Sequence, residues 1–448
     1  MVLKILTTLR NNPKKSIFFA AVAAYGVKYL KGKYDDNQTR TAYCLEAKQY
    51  GEQLNGPAGR PRKVTVFLNP VANDRDGKSA FEKDAVPLLH LAGLEVNIIR
   101  TESVGQAKKY MGVIETEDTD AIIVAGGDGT VSEIVTGLLR RENQDIVKKV
   151  PIGIIPIGKS NSLAKLIFTD NQDKVKWLCE TALAIIKGVT KPVDVLRIEG
   201  EGDRMVYAVA GMEWSPYRHA EVRAKKYWYF GPLKHRWSHI MQTFHDWSTL
   251  NAKLEYQYPC DGCSTCFTPP PKVVWKWWHM FVPPAQPKAP AKDYSSIVNE
   301  KCGVKHQQEV KTVDFGVLSS NYRNQESEED RCITVSIGPS DLSRTEFVKY
   351  GWDRIGKERC DQIRTSKDKL KVGQFQLIPA DAHTNTTTDA KDPDVNDKDG
   401  DEKENAVDDY KPVFHIDNEE FEVMPITVTL LKDKVNVFCP ESKNKVAT

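Results

Sequence analysis

The spacing of apolar positions divides the chain into two patterns. From residue 63 to residue 199, short apolar runs such as 64–68, 94–99 and 121–125 alternate with stretches of helical spacing, for example 79–91 and 173–187. Continuous apolar runs of this length are typical of strands buried on both faces. The alternation predicts an α/β domain with a doubly wound, mostly parallel sheet that binds ligands at the carboxyl ends of its strands.

After residue 200 the apolar runs are shorter, they alternate weakly, and long helical spacing is mostly lost. This pattern predicts a β-rich, sandwich-like domain. The predicted strands are Ala252–Tyr258, Glu309–Val317, Cys332–Ile337, Gln374–Pro379, Val413–Ile416, Ile426–Leu431 and Val435–Phe438. The polar, acidic stretch 381–411 predicts a disordered insertion within it.

The N-terminal segment has a one-sided charge. Residues 1–34 contain seven lysines and arginines and no acid around the apolar run Ile17–Val27, which is short of the roughly 20 residues that span a bilayer. This composition favours a mitochondrial address over a secretory signal. We therefore predict three parts: a targeting or anchoring segment with its linker (1–60), an α/β domain (61–200) and a β-rich domain (201–440).

A cluster of glycines follows the most apolar strand. The sequence there is DAIIVAGGDGTVSEIVTGLLRR, residues 120–141, which reads as strand, tight turn and helix, with a capping-box spacing from Thr130 to Glu133. Glycines let backbone approach a ligand, and a helix start offers N–H groups to an anion. The carboxylate of Asp128 would repel a phosphate bound at this turn unless a cation lay between them. A magnesium-bound nucleotide therefore explains the pattern better than a plain turn does.

A second glycine motif matches a P-loop literally, from Gly153 to Lys159-Ser160. The residues between its glycines, 154–157, are apolar apart from a proline and read as strand. A phosphate cradle needs its strand before the first glycine, so we reject this match.

The motif GGDGT after a buried strand resembles the signature of the diacylglycerol kinase catalytic domain, which sphingosine and ceramide kinases share. The flanking segments resemble the mitochondrial, acylglycerol-phosphorylating branch of that family over nearly the whole chain. The resemblance implies transfer of the γ-phosphate of ATP, with Mg²⁺, to monoacylglycerol or diacylglycerol, giving lysophosphatidic or phosphatidic acid. Ceramide and sphingosine are further possible acceptors.

The resemblance also assigns residues. Those of the nucleotide site are Asn69, Thr101, Gly126, Gly127, Asp128, Gly129, Thr130, Gly158 and Asn161. It makes Asp417 the acceptor of the hydroxyl proton, with Glu419 and Asp128 assigned to catalysis and to magnesium. Asn418 replaces the glycine of the family motif. The loop after Asn69-Pro70 carries acids where the family has a glycine-rich, basic loop.

Two aromatic stretches are candidates for lipid contact. In the first, 218–237, the resemblance implies an acceptor-lipid pocket, with His219, Glu221 and Arg223 as candidate residues; a core segment is the alternative. The second, Lys272–Pro284, holds three tryptophans and predicts a membrane or protein contact.

A second class of function stays open beside catalysis. The chain would then be a membrane-bound interaction subunit, and the resemblance implies the inner-membrane carrier translocase as partner and the intermembrane-space side of the mitochondrial inner membrane as location. The net charge of +2 gives no indication of nucleic-acid binding.

Nine cysteines, an odd number, do not indicate a disulfide framework. Cys260, Cys263 and Cys266 have metal-like spacing, with His279 or Cys302 as a conceivable fourth ligand. Because the chain has no second CxxC pair, we interpret the triplet as a cysteine-rich loop in preference to a metal site.

Overall fold

The computed structural model describes residues 13–52, 60–266, 296–322, 331–356, 363, 368–380 and 413–441, apart from 104, 116, 143–144, 169–172, 203, 246, 248, 261 and 418. Two compact units make up the chain, residues 1–192 with 435–448, and residues 193–434. The predicted tryptophan stretch, the acidic insertion and His279 lie outside the described residues.

The first unit is built on a parallel sheet. Its strands are β1 (Lys63–Leu68), β2 (Glu95–Arg100), β3 (Ala121–Gly126) and β4 (Ile152–Pro156), in the order β2-β1-β3-β4. Every residue of β3 and β4 is buried, as their apolar sequences require. The predicted α/β class is confirmed, and β4 contains residues 153–156 of the rejected P-loop match, which the sequence analysis took as strand.

The described residues of the first unit also form eight helices. They are α1 (Pro13–Gly51), α2 (Asp76–Ala80), α3 (Val86–Leu91), α4 (Gln106–Val113), α5 (Asp128–Leu139), α6 (Asp145–Lys149), α7 (Ser162–Ile167) and α8 (Lys174–Lys187). A 3₁₀ turn, Ala72–Arg75, precedes α2, and a π turn, Phe81–Ala85, separates α2 from α3. The helix predicted over 79–91 is confirmed, because α2, the π turn and α3 follow one another without a gap and Ala80, Ala85 and Val86 all have right-handed helical dihedrals.

Helix α1 contains 39 residues and has two different halves. Near its start the apolar side chains are exposed, Ile17 by 70% and Phe18 by 63%. Near its end Ala47 is fully buried, and Arg40 forms an ion pair with the buried Asp84 at 2.6 Å. Among the described residues, no helix has both the length and the apolar character needed to cross a bilayer.

The second unit is antiparallel, which confirms the predicted β-rich class. One sheet has the order β12-β11-β10-β7-β14-β15, and the other contains β16-β13-β8-β9 and the pair β5-β6. The strands are β5 (Thr190–Glu199), β6 (Met205–Ala208), β7 (Gly211–Trp214), β8 (Leu250–Gln257), β9 (His306–Thr312), β10 (Phe315–Leu318), β11 (Ile333–Ile337), β12 (Lys369–Val372), β13 (Gln374–Pro379), β14 (Val413–Ile416), β15 (Glu419–Glu422) and β16 (Ile426–Phe438). Residues of both sheets, including Trp214, Phe315 and Phe375, form one buried cluster.

Helices also occur in this unit, although the loss of helical spacing did not predict them. They are α9 (Pro216–Arg223), α10 (Lys234–Gln242) and α11 (Arg344–Arg354). Helix α11 begins with a complete capping box between Ser343 and Glu346. The sequence Ser-Arg-Thr-Glu is the signal that identifies this start.

Candidate active site

The glycine turn of the first unit joins β3 to α5. Gly127 is the N-cap of α5, and Asp128 and Gly129 begin the helix. A methyl group on Gly126 would lie 2.6 Å from Thr130 Oγ1. The predicted capping box from Thr130 to Glu133 is wrong in position, because the helix already begins at Asp128 and makes no side-chain cap bond.

A second turn, after β4, packs directly against the first. A Cβ on Gly158 would lie 2.4 Å from Gly127 Cα, closer than carbon atoms approach. Backbone hydrogen bonds join the turns, from Gly158 N–H to Gly126 O at 3.2 Å and from Asp128 N–H to Ser160 O at 3.1 Å. The glycines are therefore needed for contact between two turns as well as for the approach of a ligand.

Asp128 ties these turns to helix α7. Its carboxylate accepts hydrogen bonds from Ser160 Oγ at 2.6 Å, Ser162 N–H at 3.0 Å and Leu163 N–H at 3.3 Å. The side chain is 4% exposed. The acid at the centre of the motif is thus held in one orientation by donors at a helix start, a role that the sequence did not indicate.

Three more predicted nucleotide residues lie at this carboxyl edge. Asn69 Nδ2 lies 3.4 Å from Thr130 Oγ1 and its Oδ1 accepts from Val71 N–H, while Thr101 N–H donates to Leu68 O at 3.0 Å. The side chain of Asn161 closes its own turn: Oδ1 accepts from Gly158 N–H and Nδ2 donates to Gly158 O. The predicted residues of the nucleotide site therefore converge where parallel sheets bind ligands.

In the second unit, Asp417 occupies the turn between β14 and β15 with a φ of 46°. Its carboxylate accepts three backbone N–H groups, from Val209 at 2.8 Å, Ala210 at 3.0 Å and Gly211 at 2.9 Å. The residue is 4% exposed. Asp417 thus fixes the turn before β7, and Glu419 begins β15 opposite Ile416.

The candidate lipid residues share helix α9. The ring of His219 lies 6.4 Å from the ring of the buried His415, whose Nε2 is 3.7 Å from Glu420 Oε1. Burial lowers the pKa of both histidines, so the two rings are neutral at neutral pH. Glu221 pairs with Arg218 at 3.2 Å. The sequence did not indicate His415, which lies on a strand about 200 residues away.

Arg223 donates from Nη1 to Gln242 Oε1 at 3.3 Å and so joins α9 to α10. Asp194 is a further buried acid, and its carboxylate accepts hydrogen bonds from Ser320 Oγ and from the backbone N–H of Asp433. The side chain of Asn321 bonds the backbone N–H and C=O of Asp194. These contacts stabilise the second unit.

Comparison with known proteins agrees with both units. The profile of the diacylglycerol kinase catalytic domain matches residues 63–198, and that of the acylglycerol kinase C-terminal region matches residues 209–398. The chain is 33% identical to the mitochondrial acylglycerol kinases of Mus musculus and Homo sapiens, over 98% of this chain and 97% of each of theirs. It is 28% identical to the ceramide kinase of Mus musculus over 46% of this chain and 38% of that protein.

The α/β unit with its glycine turn and the antiparallel unit define the class of ATP-dependent lipid kinases with a diacylglycerol kinase catalytic domain. Within this class, the chain belongs to the acylglycerol kinase family. The resemblance seen in the sequence is thereby confirmed.

Proposed function

We propose that the chain transfers the γ-phosphate of ATP to the hydroxyl of monoacylglycerol and diacylglycerol, giving lysophosphatidic and phosphatidic acid in mitochondria. The observation that carries this proposal is the pair of packed glycine turns around the buried Asp128. The positive end of the α5 dipole, which begins at these turns, supplies charge complementarity of the kind that phosphoryl transfer requires. The similarity to acylglycerol kinases over 98% of the chain supports the acceptor class.

Magnesium enters this reaction with ATP, as part of the substrate. The Asp128 carboxylate already accepts three protein hydrogen bonds out of roughly four lone-pair sites. Direct coordination therefore does not fit Asp128 well, and we assign it to orienting the turn and to contact with the metal through water. Glu419 remains the second candidate for the metal.

On the acceptor side, Asp417 is our candidate for the residue that receives the hydroxyl proton, although its carboxylate, like that of Asp128, already accepts three hydrogen bonds. His219, Glu221 and Arg223 are the candidates for lipid contact. Neutral imidazoles at His219 and His415 can exchange hydrogen bonds with a lipid hydroxyl without the cost of burying a charge.

The decisive assay follows labelled phosphate from ATP into monoacylglycerol, diacylglycerol, ceramide and sphingosine in mixed micelles. Asp128→Asn keeps the side-chain shape and removes the charge, so we expect a rate loss of about 100-fold or more. Glu309→Gln, at an exposed position of β9, is the matched control and should retain full activity. Unchanged transfer by Asp128→Asn would contradict the proposal and favour the interaction-subunit reading.

Mitochondrial location is supported by the acid-free, basic residues 1–34 and by the similarity to mitochondrial acylglycerol kinases. A fusion of residues 1–60 to a fluorescent protein should accumulate in mitochondria, and the same fusion with its lysines changed to glutamine should not. Cytosolic fluorescence of the unaltered fusion would contradict this part of the proposal.

A further inference from the structure

Four cysteines of the second unit converge on one point. The Sγ atoms of Cys260, Cys263, Cys266 and Cys302 all lie within 4.8 Å of one another. Three come from the segment after β8 and the fourth from the segment before β9. Of the two conceivable fourth ligands named from the sequence, Cys302 joins the triplet, and this convergence favours a metal site over the cysteine-rich loop that the sequence analysis preferred.

The sheet brings the two segments together. Strands β8 and β9 are antiparallel, and Tyr256 pairs with His306 at their shared end. Cys260 follows Tyr256 by four residues, and Cys302 precedes His306 by four residues. A backbone hydrogen bond from Ser264 N–H to Ile297 O, at 2.8 Å, joins the segments beyond the strands. The convergence of the four thiols thus follows from strand pairing.

The separations of the sulfur atoms are those of a metal site. Sγ of Cys266 lies 3.8 Å from Sγ of Cys260 and 3.6 Å from Sγ of Cys263. A disulfide requires about 2.05 Å between sulfur atoms. Four thiolates placed tetrahedrally at about 2.3 Å from Zn²⁺ lie about 3.8 Å apart. The observed separations therefore match tetrahedral ligation and exclude a disulfide between these pairs in this arrangement.

Hydrogen bonds to the sulfur atoms complete the surroundings. Cys263 N–H donates to Cys266 Sγ at 3.3 Å, and Asn299 Nδ2 donates to Cys260 Sγ at 3.4 Å. Asn299 is itself positioned by the backbone, since its carbonyl accepts Cys302 N–H at 3.1 Å. Donors of this kind stabilise thiolate ligands and orient them.

We propose that Cys260, Cys263, Cys266 and Cys302 bind one structural Zn²⁺. Soft thiolate ligands in a tetrahedral set select zinc over magnesium or calcium. Four protein ligands leave no open position for water or substrate, so the ion has no part in phosphoryl transfer. It joins the segment that follows β8 to the segment that precedes β9 at the shared end of that strand pair.

Zinc content of the full chain, purified in reducing buffer without chelator, tests the proposal. Elemental analysis should give about one zinc per chain, as expected for a single four-ligand site. Cys302→Ala should lower the zinc content at least about tenfold, whereas Cys302→His should retain zinc, because Cys₃His is also a ligand set of structural zinc sites. The control Cys439→Ala changes a half-buried cysteine outside the cluster and should keep the full content.

A second measurement needs no variant. A thiol-specific mercurial added to the wild-type protein should release zinc, which a chromogenic chelator detects, and cobalt exchanged into the site should show the thiolate-to-metal absorption of tetrahedral ligation. Wild-type protein that holds no zinc and takes up no cobalt would overturn the proposal. So would iron in place of zinc, or two disulfides among the four cysteines in mass spectra taken without reductant.

Discussion

The replacement Asp417→Asn tests a buried acid of the second unit that three backbone N–H groups hold in place. The native carboxylate accepts the N–H groups of Val209, Ala210 and Gly211, and both of its oxygens take part. The asparagine side chain retains one oxygen and presents an NH₂ group in place of the other. At least one buried N–H group therefore loses its acceptor and faces another donor.

The size of the effect follows from these contacts. A buried N–H group without a partner costs about 1–3 kcal/mol, and the remaining bonds weaken because charge-assisted bonds are roughly twice as strong as neutral ones. We expect the variant to lose about 2–4 kcal/mol of stability in the second unit. Backbone strain adds little, since asparagine tolerates the left-handed φ of 46° at this turn.

Two assays measure this loss. Amide hydrogen exchange in a peptide spanning residues 205–214 should accelerate by roughly 30-fold or more, at tenfold per 1.4 kcal/mol, and the midpoint of urea unfolding should fall. The exposed control Glu309→Gln should stay within about 0.5 kcal/mol of wild type. Unchanged exchange at Val209, Ala210 and Gly211 would refute this reasoning, and a loss of activity in the variant could then be attributed to catalysis alone.

Two further predictions concern packing and pH. Gly158→Ala forces a methyl group against the Gly127 backbone, so it should weaken ATP binding in calorimetry and cost about 1–3 kcal/mol of stability, whereas Gly112→Ala, which has open space, should do neither. Burial, with the charge of Arg354, lowers the pKa of His239 to about 4. As the pH falls, the unfolded state takes up this proton near pH 6.5 and the folded state only near pH 4. The free energy of unfolding should therefore be highest above pH 6.5 and should fall by about 3 kcal/mol as the pH drops to about 4. His239→Leu should reduce that slope in urea midpoints measured across this range, and an unaltered slope would count against the assignment.

Local patterns in the sequence predicted most of the elements. Strands β13 and β14 have the predicted bounds, because their apolar runs end at glycine, proline or an acidic turn. The run predicted as one strand over Glu309–Val317 forms two strands, β9 and β10, in different sheets. Conversely, the runs predicted on either side of Lys432–Lys434 form one strand, β16. Within β16, Asp433 adopts a φ of 51° and donates its N–H to the Asp194 carboxylate. The charged residues at this irregular position therefore led to the prediction of two strands in place of one.

The residues of the site were only partly predictable for a related reason. The glycines and Asp128 follow one another in the sequence, and their spacing alone indicated a phosphate-binding turn. The contacts of Asp128 with Ser160, of Asp417 with Val209 and of Cys302 with the cysteine triplet join residues at least about 30 positions apart. No pattern within a single stretch of sequence records such pairs, and strand pairing creates them.

The two halves of helix α1 have a mechanical consequence. At 1.5 Å per residue its 39 residues extend roughly 58 Å, whereas a flexible coil of the same length would keep its ends about 35 Å apart on average. The C-terminal half is fixed to the first unit through Arg40 and Ala47, while the apolar side chains of the other half are exposed. The helix is thus a rigid connection and not a flexible one. A surface that binds its N-terminal end therefore fixes the orientation of the first unit as well as its distance from that surface.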